Sequence, residues 1–564
     1  MLKPGQVTSE PDTGEDAIAQ TETTKPPAKP AAFSVVDWLA LAVLLAAAVI
    51  AAFTFRDYGL GWDDYTHSQY GDLLLKLYGS GFADQRALSF VNLYKYGGGF
   101  DMAAGLAAKV LPFDLFETRR LAGAAIGLIG LFVTWRLGRR LGGQVAGLVA
   151  LVLLATCPLY YGHMYMNAKD APFATAMAVL LLGIVRAFDE YPRPSARTMA
   201  LAGVGLGLAF GSRVLAGIAA PCALAALALI LVTEIRTAGW KPAAQRLGQF
   251  IAALWPALPL GYLIMGLLWP WSVLSPLNPL YAAEYFDTFF EKPWKEMYEG
   301  RLIAVPDMPA SYLPHLFALT LPEIMLVLGL IGTVGAFVVA SLHRAPLNRR
   351  ATLLVAALAA VFPIALALIA RPALYNGLRH FVFVVPPFAA LGGVAAGWLA
   401  DRAIHYGKPA IAALAAVVIA GVALPIVDMV RLHPYEYTSF NTASGGVRAA
   451  QNDYMLDYWG LSFKQAGQQL RARLSAMHAR APGGRRWVVA VCGRAPAADV
   501  ALGPQFETTF DQKKADFAMS LGTFYCRHLQ GPVLVQIERE GVTYATVYDL
   551  RGRPPQPLLT IPPP

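Results

Sequence analysis

Two aspartates stand side by side just after the first long apolar run of this 564-residue chain, in Gly61-Trp62-Asp63-Asp64-Tyr65-Thr66-His67. A carboxylate at an apolar boundary loses part of its hydration, which raises its pKa and makes it a usable base. The structural alternative is a cap, since Asp accepts readily from the first N–H groups of a helix that starts at Tyr65. Asp64 and His67 are spaced as a metal-ligand pair on a helix, but two ligands are too few for a site. A second polar turn, Tyr160 to Pro172, carries Lys169 and Asp170. These are either a pair snorkelling at an interface, or a cation for a phosphate beside a carboxylate that orients a sugar hydroxyl or a catalytic group. Pro172 fits a helix start, so Asp170 also has the position of a cap. Arg213, Arg371, Arg379 and His380 lie close to the ends of apolar runs, where an ionisable residue is costly and function is the default reading for one that cannot snorkel. An Arg such as Arg379, in the turn Arg371 to His380, can grip a phosphate through paired hydrogen bonds; headgroup anchoring is the alternative.

The elements that must hold these residues are membrane helices. Of the residues, 56% are hydrophobic and 15% charged, with a mean hydropathy of +0.46. Soluble domains carry about 25% charged residues, and apolar runs of about 20 residues recur along the chain. Eleven spans are expected, at about 33–54, 119–137, 142–160, 171–188, 198–212, 214–233, 247–271, 313–341, 351–370, 380–400 and 409–427. Alternate short connections and their flanks hold fourteen Lys and Arg (Arg136 to Arg140, Arg186 to Arg197, Arg236 to Arg246, Arg344 to Arg350, Arg402 and Lys408); the opposite ones hold four, Lys169, Arg213, Arg371 and Arg379. That bias places the N-terminus in the cytoplasm and the candidate residues outside. The net charge of +9 is spread over these short loops, so it reports topology rather than nucleic-acid binding. Residues 1–32 read as a disordered cytoplasmic tail rich in Pro, Thr, Glu and Lys.

Three large pieces then lie outside. The first, 55–118, holds the aspartates and aromatic, amphipathic stretches suited to helices in the headgroup plane. The second, 272–312, is rich in Pro, Trp and Tyr. The third, 429–564, reads as a small α/β domain: a buried strand at Trp487 to Cys492, a helix at Ser462 to His478, and a hairpin of Pro532 to Ile537 with Thr543 to Asp549. Cys157 and Cys222 fall in spans as packing residues. Cys492 and Cys526 fall in the external domain, where an oxidising compartment permits a disulfide, although spacing alone leaves their pairing open. Gly97-Gly98-Gly99 lacks a strand-then-helix context and reads as a flexible turn.

Several of these stretches resemble a known family. The acidic pair past the first span, the long first loop, Arg119-Arg120-Leu121 at the entry to the second span, and Tyr375-Asn376-Gly377-Leu378-Arg379-His380-Phe381 through Pro386-Pro387 resemble the GT-C glycosyltransferases, nearest to the bacterial protein O-mannosyltransferase and aminoarabinose-transferase group. His433-Pro434-Tyr435-Glu436-Tyr437, Phe440-Asn441, Gly445-Gly446 and Asp457-Tyr458-Trp459-Gly460 resemble a block found after the last span in bacterial members. The resemblance covers roughly 33–465. It implies a GT-C-like bundle in the bacterial inner membrane, a polyprenyl-phosphate sugar as donor, and an acceptor on the external side that is a lipid such as lipid A, a glycan or a protein. The family pair is usually Asp-Glu; here the second member is Asp64, one methylene shorter, which leaves Asp63 as the base. Asp170 matches the family's second acidic site, Lys169 and Arg379 match positions facing the donor phosphate, and Arg213, Tyr375 and His380 complete the implied substrate contacts. No metal is required if Lys and Arg supply the charge, although other GT-C branches use one. The competing readings are a transporter or flippase for a lipid or amphipathic solute, and a non-catalytic envelope scaffold. Against the transporter, the halves show no internal repeat and the charged residues cluster at one face rather than the midplane.

Overall fold

The computed structural model describes residues 34–287 and 294–560, so the tail expected at 1–32 lies outside them. The first helix, α1 (Val35–Thr54), starts on a capping box in which Ser34 and Asp37 satisfy each other's backbone N–H. A short segment carries the aspartates into α2 (Asp64–Gly79), and α3 (Gly99–Ala107) packs against it. The helices that follow are α4 (Leu115–Ala155), α5 (Pro158–Met166), α6 (Asp170–Asp189), α7 (Ala196–Phe210), α8 (Ala219–Ala238), α9 (Trp240–Leu254), α10 (Ala257–Leu268) and α11 (Asn278–Asp287). A hairpin, β1 (Lys295–Tyr298) with β2 (Arg301–Ala304), precedes α12 (Tyr312–Thr320), α13 (Glu323–Ser341), α14 (Leu347–Ala370), α15 (Val385–His405) and α16 (Lys408–Leu432).

Among the described residues, nine segments are long and apolar enough to cross a membrane, and α7 is a shorter apolar helix. The chain is a multi-pass membrane protein. Two stretches expected as separate spans, 119–137 and 142–160, lie largely within α4, which is broken at Gly143 where φ is 86°. The span expected at 313–341 is divided between α12 and α13, because Pro322 forces Leu321 out of the helical region (φ −76°, ψ 143°). The span expected at 247–271 falls largely within one apolar segment, Trp240–Leu268, in which α9 and α10 meet at Trp255-Pro256 with the backbone still in the helical region. At the centre, α15 lies along α4 and α13. Gly393 permits this approach: a Cβ there would stand 2.1 Å from the Ala146 carbonyl oxygen.

Beyond α16, residues 433–462 run back over one end of the bundle and include α17 (Gly446–Ala450). They lead to α18 (Phe463–Ala476) and a five-stranded sheet of β3 (Trp487–Cys492), β4 (Phe506–Thr509), β5 (Phe517–Leu521), β6 (Val533–Arg539) and β7 (Val542–Asp549), with α19 (Ala495–Leu502) between β3 and β4. The order is β4-β3-β5-β7-β6, parallel across β4-β3-β5 and antiparallel across β5-β7-β6. The hairpin is longer than its sequence pattern: Glu538 and Arg539 extend β6, and Glu540-Gly541 make the turn with φ of 50° and 74°.

Cys492 and Cys526 are joined in a disulfide across 34 residues, while Cys157 and Cys222 are free and buried. A cross-link of that span restricts the unfolded chain by about 3–4 kcal/mol in the loop-entropy view. Cys526→Ser is therefore expected to lower the unfolding temperature of the sheet domain. Thermal unfolding of the variant against the oxidised protein checks this, and equal melting would refute it.

Candidate active site

Asp63 and Asp64 are neighbours in sequence and face different partners. Asp64, the first residue of α2, is 1% exposed and closes its own turn by accepting from the Gly61 N–H at 2.9 Å. It also takes Arg120 at 2.5 Å and Arg119 at 3.4 Å, both from α4. Arg120 meanwhile donates to the carbonyls of Gly59 and Tyr165. The Arg-Arg-Leu entry to α4 is thus the clamp that fixes the acidic segment. Gly61 is needed at this point, since a Cβ there would stand 2.5 Å from the Trp459 ring.

Asp63 points elsewhere. Its backbone is already helical (φ −93°, ψ −15°) and its side chain makes no cap. The helix-cap reading therefore fails for both aspartates: one carboxylate is taken by arginines and the other is turned away from the N–H groups. The Asp63 carboxylate, 31% exposed, lies 3.0 Å from Lys169 Nζ and 3.9 Å from an Arg379 guanidinium nitrogen. Burial alone would raise its pKa, but the Lys169 ammonium and the Arg379 guanidinium outweigh burial and hold it well below the usual carboxylate range. Burial works against the Lys169 ammonium, and Asp63 leads the groups that nonetheless raise it.

Lys169 and Asp170 also part company. Asp170 is 2% exposed and forms an ion pair with Arg213 at 2.6 Å. It caps nothing; the cap at this turn is Asn167, whose side-chain oxygen accepts from the N–H groups of Lys169 and Asp170. The Asn167 amide in turn donates to Asp170 at 2.8 Å. The Tyr96 ring lies beneath both Lys169 (5.1 Å) and Arg213 (5.5 Å). Arg379 stands over the rings of Tyr375 (4.5 Å) and Trp459 (5.6 Å), and His380 meets the edge of Tyr375 at 5.0 Å. Arg371 is exposed at the end of α14 and takes no part. The three glycines read as a flexible turn are instead packed: a Cβ on Gly97 would stand 1.5 Å from the Gly211 carbonyl, and Gly99 begins α3.

A cavity of about 340 Å³ opens where these groups meet, within the range of small-molecule sites. Asp63, Lys169, Tyr375 and Arg379 line it; Asp64, Asp170, Arg213 and His380 stand behind it. Trp459, Tyr458 and Asn376, to which the sequence assigned no individual role, also line it, as does His67, which the sequence offered only as a metal-ligand partner of Asp64. Buried atoms without a hydrogen-bond partner among the described residues cluster here: His67 Nε2, Asn376 Oδ1, Arg379 Nε and Trp459 Nε1. Tyr458 and Trp459 lie within the post-span block and Asn376 within the Tyr375 to Phe381 motif, and His67 stands three residues from Asp64, so a signal existed for each; Asp101, the partner of His67, had none. In the linked ion pairs, Asp63, Asp64, Asp101 and Asp170 face Arg119, Arg120, Lys169, Arg213 and Arg379, four carboxylates against five cations. Among these nine side chains one positive charge is left over. Among the described residues no three His, Cys, Asp or Glu side chains form a group that could hold a metal ion.

Near the cavity, Glu296 is 3% exposed and accepts from the Asn376 N–H at 3.1 Å. Burial pushes its carboxyl up to about 7. A raised carboxyl costs stability as pH climbs from its unfolded value of about 4.3 through the folded one. Glu296→Gln is accordingly expected to lose less stability than the unmodified protein between pH 5 and pH 8, as measured by thermal unfolding; parallel pH curves would refute it.

The architecture defines a polytopic helical membrane protein with a polar, cation-rich cavity at one end of the bundle and a small sheet domain beyond it. Its resemblance to the GT-C glycosyltransferases is carried by a family match: residues 103–260 match the family described as dolichyl-phosphate-mannose-protein mannosyltransferase. Among solved structures, ArnT from Cupriavidus metallidurans in the apo state is similar over 92% of this chain and 99% of that one, at 16% identity and a TM-score of 0.47. ArnT from the same organism bound to undecaprenyl phosphate is similar over 93% and 100%, at 16% identity and a TM-score of 0.46. The Archaeoglobus fulgidus oligosaccharyltransferase in the apo form is similar over 80% and 62%, at 13% identity and a TM-score of 0.46. No curated protein matches the chain in sequence.

Proposed function

We propose that this protein is an inverting glycosyltransferase of the bacterial inner membrane that moves one sugar from an undecaprenyl-phosphate-like donor to an acceptor on the external face. The observation that carries the reading is the Asp63 carboxylate in the cavity between Lys169 and Arg379. Displacing a phosphate from an anomeric carbon needs a base for the incoming hydroxyl and positive charge for the departing group. Asp63 is assigned as the base and Lys169 and Arg379 as the phosphate contacts, with Tyr375 packed beneath Arg379. Asp170 with Arg213 and His380 stiffens the shell behind them, and Asp64 holds the segment that presents Asp63.

The charges support this assignment. A polyprenyl-phosphate sugar is a phosphodiester with one negative charge, which the surplus cation of the site offsets. As the acceptor oxygen bonds to the anomeric carbon, its proton passes to Asp63 and the electron pair of the breaking bond stays on the phosphate. The departing phosphate then approaches two negative charges, while the protonated Asp63 has released one more cation. Lys169 and Arg379 can thus pass from carboxylate to phosphate within one site, with no step that calls for a metal. One in-line displacement inverts the anomeric centre.

The acceptor is an envelope lipid, glycan or protein reached from outside, beside the sheet domain, with the N-terminus in the cytoplasm. The test is transfer by the purified protein in lipid nanodiscs, supplied with a pool of undecaprenyl-phosphate-linked pentoses and hexoses and followed by mass spectrometry. Loss of sugar from one carrier lipid, with appearance of free undecaprenyl phosphate, is the expected result. A protein that leaves every carrier intact while moving lipid between the leaflets of a vesicle would be a flippase.

A further inference from the structure

His67 uses one ring nitrogen and leaves the other open. It lies one helical turn beyond Asp63, its N–H donating to the Asp63 carbonyl at 3.0 Å, so both side chains leave the same flank of α2. Both line the cavity, and His67 is 2% exposed. Its Nδ1 stands 2.6 Å from Asp101 on α3, whose other oxygen takes Arg119 of α4 at 2.7 Å. An Asp101 carboxylate paired with Arg119 can only accept, so it holds the ring in the Nδ1–H tautomer, which turns a lone pair outward at Nε2. Among the described residues that Nε2 has no hydrogen-bond partner. Leaving a buried acceptor unsatisfied is costly, and three elements converge to hold this one in place.

We propose that His67 Nε2 accepts a hydrogen bond from a hydroxyl of the saccharide seated against Asp63, which makes His67 a ligand-contacting residue that selects for a sugar bearing that hydroxyl. Asp101 and Arg119 are positioning residues that fix the ring. The inference rests on the transferase reading above. A lone pair at Nε2 repels phosphate oxygens, which belong with Lys169 and Arg379, and so it takes a different part of the ligand. Asp63 receives the hydroxyl that attacks; His67 receives a second hydroxyl, on the donor sugar or on the acceptor, and no bond is made or broken at it.

The experiment compares the unmodified protein with His67→Ala, His67→Gln and Asp101→Asn in nanodiscs, using the same pool of undecaprenyl-phosphate-linked pentoses and hexoses. Sugar loss to water and to an added membrane-glycolipid acceptor is followed by mass spectrometry, and binding of undecaprenyl phosphate itself is titrated in parallel. His67→Ala is expected to raise the KM for one saccharide substrate about 10–100-fold while binding undecaprenyl phosphate as the unmodified protein does. Hydrolysis and transfer fall together if the hydroxyl belongs to the donor, and transfer alone falls if it belongs to the acceptor. His67→Gln, which keeps an acceptor oxygen, recovers most of the loss, and Asp101→Asn lies between. Unchanged kinetics in His67→Ala, an equal loss of undecaprenyl phosphate binding, or no rescue by Gln would overturn the proposal. An unmodified protein that consumes no donor overturns the transferase reading itself, and does so before any substitution is made.

Discussion

Asp63→Asn is expected to slow sugar transfer by about 10²–10⁴-fold, the usual contribution of a positioned general base, while the protein folds as before and holds a polyprenyl phosphate at least as firmly. The two halves of this expectation come from the same contacts. The Asp63 side chain caps no helix and makes its ion pairs with Lys169 and Arg379, both at the cavity. An Asn of the same shape leaves the backbone undisturbed and removes the charge that competes with phosphate for those cations. Because the carboxyl is held below its ordinary range, its pairing contributes stability above an unfolded value of about 3.9. That contribution is lost only as pH falls through the lower folded value. The stability difference between Asp63→Asn and the unmodified protein should therefore stay constant from pH 5 to pH 8. Thermal unfolding with and without undecaprenyl phosphate, beside the transfer assay, reads all three quantities. A variant that still transfers at the original rate would remove Asp63 as base, and one that no longer binds the lipid phosphate would show that the carboxylate organises the site rather than acting in it.

How far the site was legible depends on what makes a residue conspicuous. Asp63, Lys169, Asp170, Arg213 and Arg379 stand out because ionisable groups beside apolar runs are costly, and the structure gathers them around one cavity and its wall. Their pairing was not legible. Successive residues at a helix start leave it about 100° apart, so Asp63 and Asp64 reach different partners, as do Lys169 and Asp170. The pairs cross between segments, Asp63 with Lys169 and Asp170 with Arg213, and adjacency in sequence suggests the opposite. His67 and Asp101 belong to amphipathic helices where such residues ordinarily face water, and only the packing of α3 against α2 and α4 buries them. Strand β3 and the hairpin could be read from their patterns, whereas the four-residue strands β1 and β2 are too short to show alternation. The long apolar runs are plain in the sequence; the break at Pro322 is not, because hydropathy averages across a proline that the backbone cannot ignore.

The largest effect on folding should come from the other aspartate. Asp64→Ala is expected to cost about 3–5 kcal/mol, the usual result of removing one partner from a buried ion pair, and to lower the yield of folded protein accordingly. Asp64 satisfies three groups at once: the Gly61 N–H, Arg120, and Arg119 on its second oxygen. Without it Arg119 keeps Asp101, but Arg120, 3% exposed, is left with only the carbonyls of Gly59 and Tyr165 among the described residues. The turn from Gly59 to Asp63 then loses the contact that closes it, and this turn both presents Asp63 and packs against Trp459. Asp64→Glu tests the geometry more finely. It keeps the charge but adds a methylene where Asp64 already meets both arginines and the Gly61 N–H, and overpacking of this kind costs about 1–3 kcal/mol. The expected order of unfolding temperature is unmodified, Asp64→Glu, Asp64→Ala, with Asp63→Asn near the first. Should Asp64→Ala melt with the unmodified protein yet fail in transfer, Asp64 would itself be part of the chemistry. Should it melt low and transfer in proportion to the folded fraction, its role is to hold its neighbour in place.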